Sequence, residues 1–82
     1  MRTRLSDVLV LIRTALLSCG SHPGLEHVLA ILEEAYEGVV PLDEEVLEYV
    51  IGTLDETARM FKVRGCLDYY LLEQAKDVLE SF

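Results

Sequence analysis

Apolar residues recur along most of this chain at intervals of three and four, the spacing that places them on one side of an α-helix. Three short segments interrupt the pattern with helix breakers: residues 19–24 (Cys-Gly-Ser-His-Pro-Gly), 38–42 (Gly-Val-Val-Pro-Leu) and 63–65 (Val-Arg-Gly). Four helices are therefore predicted, over about residues 5–18, 24–37, 43–62 and 66–81. The first carries Leu5, Val8, Leu9, Ile12, Leu16 and Cys19 on its apolar stripe. The second starts near Pro23, whose missing N–H costs nothing in a first turn, and turns Leu25, Val28, Leu29, Leu32 and Tyr36 inward. Asp43 opens the third as a cap whose charge also suits the positive end of the helix dipole, ahead of a stripe from Leu47 through Val50, Ile51, Leu54 and Ala58 to Phe61. After Gly65, the fourth presents Leu67, Leu71, Ala75, Val78 and Phe82, with Leu72 and Leu79 widening the stripe.

Loops this short force sequential helices to return beside one another. The predicted fold is all-α, an antiparallel four-helix bundle built from two helical hairpins in one domain over residues 1–82. The segments also resemble each other. Leu25-Glu26-His27-Val28-Leu29 aligns without gaps with Leu47-Glu48-Tyr49-Val50-Ile51, and Leu67-Asp68-Tyr69 repeats the opening of the third helix. Duplicated hairpins would produce this pattern; so would chance likeness between amphipathic helices rich in Leu and Glu. The C-terminal pair, with Ala58 and Phe61 before the 63–65 turn and Tyr70, Ala75 and Leu79 after it, resembles the generic helical hairpins of tetratricopeptide modules. The Trp-Leu-Gly opening and 34-residue period of that family are missing, so the resemblance implies packing and carries no activity.

Charge adds an asymmetry. Ten acids and no lysine or arginine lie between residues 21 and 57, whereas residues 1–20 are net basic and residues 58–82 balance, giving −8 overall. A surface of one sign repels polyanions and attracts cationic partners. The turn between the second and third helices gathers Glu33, Glu34, Glu37, Asp43, Glu44, Glu45 and Glu48 into an acidic partner face. Within it, Glu33 with Glu37 and Glu44 with Glu48 are like-charge pairs one turn apart, each costing a few tenths of a kcal/mol in an isolated helix. Arg59, Lys62 and Arg64 collect at the opposite end, with no interleaved aromatics, a weak nucleic-acid footprint on an acidic chain. Direct nucleic-acid binding is not expected.

Helix one is apolar over most of its circumference, through Val8-Leu9-Val10-Leu11-Ile12 and Ala15-Leu16-Leu17. In a small bundle every helix keeps one side toward water, so Val10, Leu11 and Leu17, joined by Ile31, are predicted to form an exposed patch. A self-complementary patch closes by twofold symmetry, and a homodimer is expected. The four tyrosines, Tyr36, Tyr49, Tyr69 and Tyr70, could line a ligand groove, but core and rim packing is the favoured use, since adjacent Tyr69 and Tyr70 cannot both face one stripe.

Cys19 ends the first helix and Cys66 begins the fourth, so an antiparallel bundle brings them to the same end, where a disulfide is geometrically open. The alternative is two reduced core thiols. A zinc site from Cys19, His22, His27 and Cys66 matches no standard spacing, no Glu precedes a His by three as a bundle-core metal site requires, and no glycine-rich phosphate loop or nucleophile elbow is present. No cofactor and no catalytic residue is predicted.

Eighty-two residues allow a thin core, with roughly 60–65% of the unfolded chain's surface buried. The absence of Asn and the single Gln74 suit a heat-adapted protein. No apolar run approaches the roughly 20 residues of a membrane span, so a cytoplasmic location without membrane partners is expected. The functional expectation is a non-catalytic, acidic helical protein-interaction module that self-associates through the first helix and binds a basic protein surface. The alternative is a small inhibitor or antitoxin-like regulator whose acidic face competes with nucleic acid for a basic site.

Overall fold

The computed structural model describes residues 2–82, with side chains from residue 4 onward. The elements run α1 (Arg2–Cys19), α2 (Pro23–Tyr36), α3 (Glu44–Val63), a 3-10 turn (Leu67–Tyr69) and α4 (Tyr70–Glu80). Each α-helix packs against its two neighbours, α1 on α2 and α4 and α3 on α2 and α4, so the four form an antiparallel bundle of square section, 35 × 21 × 20 Å overall. Among the described residues there is no strand.

Local chemistry sets the boundaries. The carboxylate of Asp43 accepts from the N–H of Val46 at 2.9 Å, and the Nδ1 of His22 accepts from the N–H of Leu25 at 3.3 Å, each satisfying one of the donors that a helix start leaves unpaired. At the far ends Gly38 (φ 82°) and Gly65 (φ 85°) take the left-handed conformation that closes a helix. Their turns complete the doubly bonded cap: Gly38 donates to Ala35 and Val39 to Glu34, while Gly65 donates to Lys62 and Cys66 to Phe61. A side chain at either glycine would be strained by that φ.

The core is aliphatic around one aromatic. Leu5, Val8, Leu9, Ile12 and Ala15 of α1 meet Leu25, Val28 and Leu32 of α2; Val50, Leu54, Ala58 and Phe61 of α3; and Leu72, Ala75 and Leu79 of α4. Each fully buried Leu, Ile, Val or Phe is worth about 1.5–3 kcal/mol against exposure, which makes this layer the main source of stability. Thr57 is the one buried polar residue of the described set, and its hydroxyl donates to the carbonyl of Thr53 at 2.8 Å, so its burial leaves no orphan.

Two expected stripe positions lie elsewhere. Tyr36 is exposed, because the inward row of α2 continues through Leu25, Val28, Leu32 and Ala35, and the tyrosine sits on the flank. Leu67 is 82% exposed: the chain enters α4 through a 3-10 turn of three residues per turn, which breaks the α-helical register extrapolated back from Leu71. The buried row of α4 is accordingly Leu72, Ala75 and Leu79, with Leu71, Val78 and Phe82 half-buried beside it.

Cys19 and Cys66 stand at disulfide distance, with Cα atoms 5.7 Å apart, and tie the end of α1 to the start of the 3-10 turn. Among the described residues no helix is long and apolar enough to cross a membrane.

Candidate functional site

Grooves run along three edges of the square section, and they sort the residues singled out in the sequence. Between α2 and α3 lies one of about 420 Å³, walled by Ile31, Val40, Val46 and the ring of Tyr49, with Glu34 and Glu45 at its rim. His27 closes one end. Its Nδ1 and the Tyr49 hydroxyl are 3.0 Å apart and share a hydrogen bond, and the two rings meet edge to face at 5.8 Å. That pair fixes the Tyr49 ring as part of the wall.

A second groove runs between α1 and α2, where Glu33, Tyr36 and Glu37 face Ser6, Leu9 and Arg13. Here Arg13 pairs with Glu33. The acidic face expected from the sequence is thus divided. Glu33 is matched within the chain, Asp43 serves as the cap of α3, and Glu37 forms the C-cap of α2. Glu34 and Glu45 stand together over the apolar α2/α3 groove, and exposed Glu44 and Glu48 extend that side along α3. Glu34, Glu44, Glu45 and Glu48 make no ion pair among the described residues.

On the opposite edge of the square, Val10 and Leu11 of α1 face Gln74, Asp77 and Val78 of α4. Val10 is 57% exposed, Leu17, one heptad on, is 89% exposed, and Leu11 is half-buried against the core. These three lie on the outer side of α1. Ile31 does not join them, because it lines the α2/α3 groove across the bundle.

The C-terminal end of α3 carries the reverse chemistry: Met60 and Val63, the latter 88% exposed, stand between Arg59 and Arg64. Arg59 also pairs with Asp55 at 2.8 Å, a surface pair of little energetic weight. Lys62 is directed elsewhere, with its ammonium over the Tyr69 ring at 5.5 Å.

The cysteines face one another, and His22 caps α2 with its ring edge toward Phe61, so the residues weighed for zinc are held in other contacts. Among the described residues no three of His, Cys, Asp and Glu converge as a metal-holding group. Sequence reasoning missed His27, Val40 and Val46 as groove residues, and it weighed Tyr49 as a groove residue but favoured packing. The signal was the row His27, Ile31, Glu34 at steps of four and three, which runs beside the core stripe of α2 and faces Val46 and Tyr49 on α3.

No protein-family model matches the chain, and no curated protein or solved structure is similar to it.

Proposed function

We propose that this protein is a non-catalytic, acidic helical interaction module that self-associates through α1 and receives a basic protein surface on the flank formed by α2 and α3. The observation that carries this reading is the groove of Ile31, Val40, Val46 and Tyr49 beneath Glu34 and Glu45. An apolar trough alone would take any greasy side chain. Unmatched carboxylates at its rim select one that arrives flanked by cations, and they speed the encounter through long-range attraction. Self-association draws its support from the exposed Val10 and Leu17 and from the trough that Val10 and Leu11 form with Val78.

The regulator that competes with nucleic acid is the weaker reading. A polyanion mimic works by a convex array of charge, whereas here the carboxylates border an apolar trough and Glu33 is already matched by Arg13.

The test is a titration of the protein with a short helical peptide of leucine and lysine, followed by NMR. Resonances of Ile31, Val46 and Tyr49 are expected to shift, with affinity falling about tenfold or more between low and high salt as the charges are screened. Equal binding of a leucine and glutamate peptide, or shifts confined to other faces, defeats the reading.

A further inference from the structure

The outer face of α3 is complementary to itself in reverse. Glu45, Tyr49, Gly52, Glu56, Arg59 and Val63 follow one another at steps of four and three, and all six are exposed. That alternation keeps the six on one stripe of the helix, along which a partner helix can lie, with Tyr49 and Val63 as its apolar members and charged residues between them. The seam is acidic where α3 begins, with Glu44, Glu45 and Glu48, and after Glu56 it ends on two cations, Arg64 and the Arg59 that also pairs with Asp55. A parallel copy would set like charges against each other, while an antiparallel copy sets each acidic half on a basic half.

Gly52 sits at the middle of this seam. It is exposed, inside a twenty-residue helix, has no positive φ, and a Cβ added there would meet nothing within 4 Å. Nothing inside the molecule requires glycine at this position, and a helix loses conformational entropy by having it. The missing side chain leaves room for a second backbone to approach closely at this point.

We infer that the basic surface received by the α2/α3 flank is that of a second copy of this chain, docked through an antiparallel α3 pair about a twofold axis midway between Gly52 and Glu56. In this register residue 45 lies opposite 63, residue 49 opposite 59 and residue 52 opposite 56. Val63 and Met60 of the second copy then reach the mouth of the trough at Val46 and Tyr49, between cations that face Glu44, Glu45 and Glu48. The Arg59 guanidinium of the second copy comes to the Tyr49 ring. The contact is isologous, so both troughs are filled at once and the assembly closes at this face. The inference rests on the reading of the flank as a docking face, and the α1 contact, across the bundle, is independent of it.

Charge reversal tests it without disturbing the core, because every substituted residue is exposed. One variant carries Glu45→Arg and Glu48→Arg, the other Arg59→Glu and Arg64→Glu, both in a Val10→Glu background that removes the α1 contact. By sedimentation equilibrium the Val10→Glu protein is expected to be a dimer, and each reversed variant alone to associate at least about 100-fold more weakly, because like charges then meet in both halves. Mixed in equal amounts, the two reversed variants are complementary throughout, and dimer is expected to return at the Val10→Glu affinity. Gly52→Ala in the same background should keep full helicity and weaken the dimer. A monomeric Val10→Glu protein, a dimer indifferent to both reversals, or a mixture that stays monomeric overturns the inference. Groove binding of the leucine and lysine peptide alongside any of these results leaves the docking flank standing and removes only the second copy as its occupant.

Discussion

Asp55 holds two cations at once, the Lys76 ammonium at 3.2 Å and the Arg59 guanidinium at 2.8 Å. The hydrogen bond to Asp55, reinforced by its charge, raises the Lys76 pKa above its ordinary 10.5. Because the folded state holds this proton more tightly than the unfolded state, the pair's contribution is complete below about pH 10.5 and is lost as pH climbs through the raised value. Both side chains are partly in water, which keeps the contribution small. The urea midpoint of Lys76→Met should therefore lie below that of the wild type at pH 9, with the gap closing at higher pH. A gap that holds constant past pH 12 would contradict the assignment. At this scale the cap at Asp43 was legible in the sequence, since a carboxylate before a run of helix formers is a strong start signal. The cap at His22 was not, because an imidazole fills that role only when a loop turns Nδ1 toward the helix, and the buried Thr57 was hidden because its hydroxyl is satisfied by its own helix.

At the level of elements, the connection between Cys19 and Cys66 joins helix ends separated by 47 residues of chain. Closing a loop of that length removes enough unfolded-state entropy to stabilise the fold by about 4 kcal/mol in the chain-entropy model. A Cys19→Ser, Cys66→Ser double variant, or the wild type in strong reductant, should unfold at a clearly lower urea concentration. Thiol titration of the denatured, unreduced protein should find no free thiol; two free thiols, or an unchanged midpoint in the double variant, would remove the bridge from the ledger of stability. The meeting of the cysteines was open to deduction because helix ends in an up-and-down bundle alternate between two poles. The start of α4 was not. A 3-10 turn and a first helical turn share the same kinds of residue, and the shift in register that exposes Leu67 depends on how Cys66 is anchored to α1.

For the whole molecule, the contacts proposed for α1 and α3 lie on different sides of the square, so they can be removed one at a time. Val10 is the better residue to disturb on α1, since Leu11 is half-buried against the core and a charge there would strain the fold as well as the contact. Val10→Glu should lower the mass in light scattering by one association step with the helical circular dichroism unchanged; the same mass in both proteins would show that α1 takes no part. The sequence by itself determined the four α-helices, their antiparallel order, most of the apolar core and the segregation of charge, because periodicity, breakers and sign are properties of consecutive residues. Only the tertiary structure decided which surfaces those residues share. It placed Ile31 across the bundle from Val10, matched Glu33 with Arg13, and left Glu34 and Glu45 over an apolar trough. The physical reason is that a groove belongs to two helices, and its contents depend on the rotation of each about its own axis, which the packing of all four helices around one core sets together.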